Sequence, residues 1–253
     1  MDNYTIAEHY TLPSKGKLYN GCCPDVKLRA MTTEDEMRRL SPSDTPYRVL
    51  CDLIEGCIVD NKLTVSVYDM CLGDFQYLLH KLRVVTYGTD YPIRSICPYC
   101  GTPNSETISL DDMKVIEFDE SLFEDITFKL PVCGRVVKLK LQTPRDLDEI
   151  SKEMAAYKIQ FPDSPANVSL LFNLKHLIDT IDGKKLNSVQ MDMFLRKLNM
   201  RDTNAILQRG AKITSKVGLD TTLEHKCVNA KCGAQYTSTF RITNEFFGPT
   251  YDF

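Results

Sequence analysis

Two short cysteine pairs constrain this chain more than anything else in it. Cys97-Pro98-Tyr99-Cys100-Gly101 and Cys227-Val228-Asn229-Ala230-Lys231-Cys232-Gly233 each close a tight loop, and each places Gly directly after its second cysteine. A tetrahedral zinc ion needs thiolates converging at about 2.3 Å; a knuckle presents two sulfurs to one ion, and Gly permits the positive φ that turns the backbone past it. Each knuckle leads into a β-like stretch, Ser105-Glu106-Thr107-Ile108-Ser109 in one case and Tyr236-Thr237-Ser238-Thr239-Phe240 in the other. Together they read as the two halves of a zinc ribbon ligated by Cys97, Cys100, Cys227 and Cys232. Residues 101–226 lie between the halves, so the ribbon has to close around an inserted domain.

Two alternatives stand beside this reading: turns with free thiols, and a thioredoxin-like redox pair at Cys97 and Cys100. Against redox chemistry, Gly101-Thr102-Pro103-Asn104 is a turn-forming stretch, not the helix whose N-terminus depresses a thiol pKa. Four thiolates describe a closed structural site, since a catalytic zinc keeps a position for water. His225 stands two residues before Cys227 and reads as a strand residue, not a fifth ligand. Cys22, Cys23, Cys51, Cys57, Cys71 and Cys133 are scattered in mostly apolar contexts and read as ordinary buried or half-buried thiols. The chain starts without a basic region leading into an apolar stretch, so a Sec-exported, disulfide-built protein is not expected. No apolar run approaches the ~18–20 residues of a membrane span.

The remaining pattern predicts an α+β protein, with helical subdomains around a small antiparallel, zinc-ribbon-like β layer closed by the two distant knuckles. Residues 1–32 read as an extended arm with a short strand at Val26–Ala30, and residues 33–90 as a helical subdomain. In the latter, Val49, Leu50, Leu53, Ile54, Cys57 and Ile58 recur at helical spacing, as do Leu72, Phe75, Leu78, Leu79, Leu82 and Val85. His80 on the second of these helices is expected at the surface or boundary. Residues 91–142 hold the first knuckle and a hairpin of Thr127–Leu130 with Val136–Leu141 around Cys133-Gly134-Arg135, predicted to lie in one layer with the knuckles. Thr143 and Pro144 open an all-helical insertion over 143–220, and residues 221–253 carry the second knuckle, a strand and an aromatic tail.

Formal net charge is −3, so any charged site must be local. Lys175 to Lys216 contains nine Lys or Arg against four Asp. Solvated helix faces account for that excess; the rival reading is a zinc-ribbon nucleic-acid-binding protein using the basic helices at 184–216. There is no phosphate loop, nucleophile elbow, His-Glu-x-x-His or dinucleotide fingerprint, and only four histidines, so no enzyme and no small-molecule substrate are expected. Phe246, Phe247, Tyr251 and Phe253 place four aromatics in the last eight residues, where they either dock into a partner or cover the chain's own core.

Several segments, taken in order, resemble the baseplate hub and hub-assembly proteins of T-even-type contractile-tailed bacteriophages. They are Leu12-Pro13-Ser14-Lys15-Gly16 with Tyr19, Val26 to Glu36 with Met31-Thr32-Thr33-Glu34, Leu72-Gly73-Asp74, Tyr87-Gly88, the Cys97–Gly101 knuckle, and Leu141-Gln142-Thr143-Pro144-Arg145-Asp146. The resemblance implies a tail-assembly factor or minor hub component. Such a protein would bind hub or other tail assembly proteins in the host cytoplasm and in the virion baseplate, a chaperone-like role without covalent chemistry. The 166–216 helices match less clearly, and the second knuckle has four intervening residues where two are commoner.

Overall fold

The computed structural model describes residues 6–59, 63–240 and 244–247. β1 (Ala7–Thr11) and β2 (Asp25–Arg29) pair antiparallel, so residues expected as an extended arm form a hairpin instead. Leu12, Val26 and Leu28 are buried and draw it onto the core. α1 (Thr33–Arg39) follows, opened by a capping box between Thr32 and Asp35, then α2 (Pro46–Cys57) and α3 (Leu72–Tyr87). β3 (Asp90–Ile96) and β4 (Pro103–Ser109) flank the first knuckle. Next come β5 (Val115–Ile116) and the short α4 (Ser121–Asp125), and β6 (Thr127–Lys129) and β7 (Val136–Leu139) form the hairpin predicted around Gly134. α5 (Pro144–Gln160) starts at Thr143, whose side chain and that of Asp146 cap one another's backbone N–H groups. α6 (Ser169–Leu177), β8 (Ile178–Ile181), α7 (Ser188–Arg196), α8 (Met200–Thr214) and β9 (Gly218–Leu219) lead to β10 (Thr222–Lys226) and β11 (Gln235–Thr239), which flank the second knuckle.

The strands form small antiparallel sheets, not one layer. β1-β2, β3-β4, β5-β9 and β10-β11 are separate two-stranded units, and β6-β7-β8 is a three-stranded sheet. The insertion is therefore not all helical: β8 leaves the end of α6 and completes the β6-β7 hairpin, pairing Val137 with Ile181, and β9 pairs with β5. Ile178 and Ile181 are both buried on that sheet, which is why the chain extends here and does not continue as helix.

Two apolar cores organise the molecule. One gathers the β1-β2 hairpin, α2, α3, Leu110, Met113 and the aromatics Phe240, Phe246 and Phe247. The other packs the three-stranded sheet against α6, α7 and α8. The knuckle hairpins form a third, small cluster of Cys97, Cys227 and Tyr236, with Cys232 packed against it. His80 sits inside the first core at 1% exposure, its ring stacked 6.3 Å from that of Phe246, and is not a boundary residue.

Candidate metal centre

Each knuckle is the turn of a hairpin, so strand pairing aims two sulfurs the same way. In the first, the Cys97 N–H donates to the Thr102 carbonyl at 3.0 Å and the Gly101 N–H to the Cys97 carbonyl at 2.9 Å. In the second, the Cys227 N–H donates to the Ala234 carbonyl, and the Cys232 and Gly233 N–H groups both donate to the Asn229 carbonyl, each at 2.9 Å. Gly101 and Gly233 adopt φ of 71° and 56°, the left-handed turn expected after each second cysteine. The longer second loop therefore ends in the same way as the shorter first one.

The two tips meet. The Sγ atoms of Cys97, Cys100, Cys227 and Cys232 all lie within 4.8 Å of one another. Cys97 Sγ is 3.9 Å from Cys232 Sγ, and Cys100 Sγ is 3.5 Å from Cys227 Sγ. A zinc–sulfur bond of about 2.3 Å in a tetrahedron requires sulfurs about 3.8 Å apart, so these separations fit the ion. The same chemistry fits other thiophilic ions, and the donor set leaves no oxygen or nitrogen ligand that would favour a hard cation.

Polar ties hold the hairpins in register. Buried Asn104 on β4 donates from Nδ2 to the Lys226 carbonyl at 3.0 Å and accepts the Val228 N–H at Oδ1 at 3.3 Å, gripping both sides of Cys227. In return Asn229 reaches from the second knuckle to the Thr102 hydroxyl at 3.4 Å. Ser95 Oγ and Tyr236 Oη lie 2.7 Å apart. His225 places Nδ1 2.5 Å from Glu106 and Nε2 2.6 Å from Ser238 Oγ, so both ring nitrogens are engaged away from the sulfurs, as a strand residue's would be. The Thr102 hydroxyl and N–H beside Cys100 pull its thiol down to about 6, while burial pushes Cys227 up to about 12. A divalent ion held by the four sulfurs would favour the thiolate form of the buried Cys227 as well.

The other cysteines are free among the described residues; Cys51, Cys57 and Cys71 are buried, whereas Cys133 is exposed. Asp146, Glu149 and His176 also bring ligand atoms within 4.8 Å of each other. Asp146 is already committed there: Oδ2 accepts the Thr143 N–H and hydroxyl, and Oδ1 accepts the Lys140 ammonium at 2.6 Å beside His176 Nδ1 at 3.1 Å. That ammonium occupies the carboxylate a metal would need, and Asp146 serves as half of the capping box of α5. Phe246 and Phe247 lie at 0% exposure in the chain's own core, Phe246 against Tyr91, Phe240 and the Arg83 guanidinium. They are not available for docking; Tyr251 and Phe253 fall outside the described residues.

A second convergence has no motif in the sequence to mark it. Asp74, buried in the first turn of α3, accepts the Ser14 N–H at 2.9 Å and the Tyr19 hydroxyl at 2.8 Å, and that same hydroxyl accepts the Cys71 N–H at 3.0 Å. The Leu72 N–H donates to the Gln142 carbonyl at 2.9 Å. Asp148 likewise accepts the Tyr47 and Arg48 N–H groups at the start of α2, and Asp202 those of Val132 and Cys133. Leu12–Tyr19, Leu72–Asp74 and Leu141–Asp146, three of the segments that carried the phage resemblance, therefore meet in one structural junction. The signal was a repeated Asp early in a helix, legible only once its distant partner is known.

Among the described residues no helix is long and apolar enough to cross a membrane. No curated protein and no solved structure matches the chain. A family model described as T4 bacteriophage base plate protein matches residues 4–248, nearly the whole length and both knuckles. The chain therefore belongs to the T4 bacteriophage base plate protein family.

Proposed function

We propose that this chain is a non-enzymatic assembly factor or minor component of the phage tail baseplate hub, acting by protein–protein binding, with one structural zinc held by Cys97, Cys100, Cys227 and Cys232. The family match over residues 4–248 carries the baseplate assignment. Convergence of four sulfurs from segments separated by residues 101–226 supports the metal, and its lack of an open ligand position supports a structural role. On this reading the ion clamps two hairpins that have little core of their own. The protein meets its partners in the host cytoplasm and carries them into the tail.

Metal analysis of the purified protein should find about one zinc per chain, lost when Cys227 and Cys232 are both replaced by Ser. Unchanged zinc in that variant would remove the shared site. Purification from infected cells should recover hub or other tail proteins with the chain; recovery without any baseplate component would overturn the assembly role. Against the nucleic-acid alternative, three of the cations in 184–216, Arg209, Lys212 and Lys216, are already turned onto Asp125.

A further inference from the structure

The knuckles leave three large apolar side chains in water. Ile96 closes β3 at 71% exposure, Tyr99 stands inside the first knuckle at 70%, and Val228 stands inside the second at 65%. They cannot turn inward, because each is next to a cysteine of the cluster and the space beneath is filled by Cys97, Cys227 and Tyr236. Arg94 stands two residues before Ile96, Lys226 two before Val228 and Lys231 beside Cys232; all three are exposed, and none forms an ion pair among the described residues. The knuckle segments 97–102 and 227–234 contain no acidic residue; of the carboxylates on the flanking strands, Glu106 is taken by His225, and Glu224 stands two residues before Lys226 on β10.

We infer that this tip is a docking surface for a peptide segment of another protein in which acidic residues flank an aliphatic or aromatic side chain. The partner's apolar side chain covers Ile96, Tyr99 and Val228, and its carboxylates meet the three cations. Burying a rigid aromatic next to aliphatic neighbours supplies the anchor, and the charges supply orientation and on-rate. A second copy is a poor occupant, since two tips face to face would bring six cations together. Nucleic acid is also a poorer fit: Ile96 and Val228 offer no stacking plane, and three cations neutralise few phosphates. This inference deepens the proposed binding role and rests on it.

Fluorescence anisotropy of the intact, zinc-assayed protein tests it with three probes: a short peptide in which Asp and Glu flank Phe and Leu, the same peptide with Lys and Arg in the acidic positions, and a single-stranded oligonucleotide. The acidic peptide should bind saturably in the micromolar range and weaken as salt rises. Tyr99→Ser, and separately Lys226→Glu with Lys231→Glu, should each weaken binding about tenfold or more with zinc content unchanged. The charge-reversed variant should gain binding to the basic peptide. No saturable binding of the acidic peptide, wild-type affinity retained in both variants, or preference for the oligonucleotide would overturn the inference. None of these outcomes bears on co-purification with tail proteins, so failure here is distinguishable from failure of the assembly role.

Discussion

At the scale of single residues, burial decides how this protein responds to pH. His80 is held in an apolar core, and burial followed by the neighbouring Lys81 charge pushes its pKa from 6.5 down to about 4. The unfolded chain takes up that proton nearer 6.5, so His80 favours the folded state above that pH and loses the contribution as pH falls toward 4, a swing of about 3 kcal/mol. Urea denaturation of His80→Leu should show a flatter stability profile across this window; an unchanged slope would remove His80 as its source. Asp146 acts lower. Burial works to raise its pKa, but the His176 and Lys140 contacts outweigh it and hold the carboxyl at about 2. Its contribution is present above the ordinary carboxylate range and is lost as pH falls toward 2, so the stability gap between wild type and Asp146→Asn should narrow over that interval.

At the scale of elements, close approach matters more than helix propensity. A Cβ at Gly73 in the first turn of α3 would collide with the Val217 carbonyl and crowd Gly218, where β9 crosses the helix. Both obstacles are backbone and cannot move aside cheaply. Gly73→Ala should cost about 3 kcal/mol in thermal or chemical denaturation while leaving zinc content unchanged, because the knuckles lie elsewhere. Thr143→Ala removes half of the capping box of α5 and should cost only about 1 kcal/mol. A Gly73 variant as mild as the Thr143 one would show that α3 and β9 slide apart freely.

At the scale of the whole molecule, the aromatic end and the charge distribution set the behaviour. Phe246 and Phe247 fill the first core, so deleting residues 246–253 should lower stability sharply, and Phe246→Ala alone by about 3–5 kcal/mol. Loss of partner binding with stability intact would instead mark the tail as a docking element. With three cations of the basic helices drawn onto Asp125, DNA or RNA binding should be weak at physiological salt. A submicromolar complex under those conditions, set against the ~10⁻⁴–10⁻⁶ M of nonspecific binding, would revive the nucleic-acid reading.

What sequence alone determined here is local. Cysteine spacing and the following Gly specify the two knuckles, Gly134 marks the β6-β7 hairpin, Thr143 with Pro144 marks the start of α5, and apolar repeats mark α2 and α3, because each depends on residues within a few positions of one another. Tertiary structure decided the rest. β8 extends only because Val137 and its sheet wait for it, His80 is buried only because Phe246 returns from the far end of the chain, and Asp74, Asp148 and Asp202 become structural only when distant N–H groups reach them. The four cysteines themselves show the division: spacing named the pairs, but only the packing of two hairpins set their sulfurs within 4.8 Å, since no local rule brings together segments that far apart in the chain.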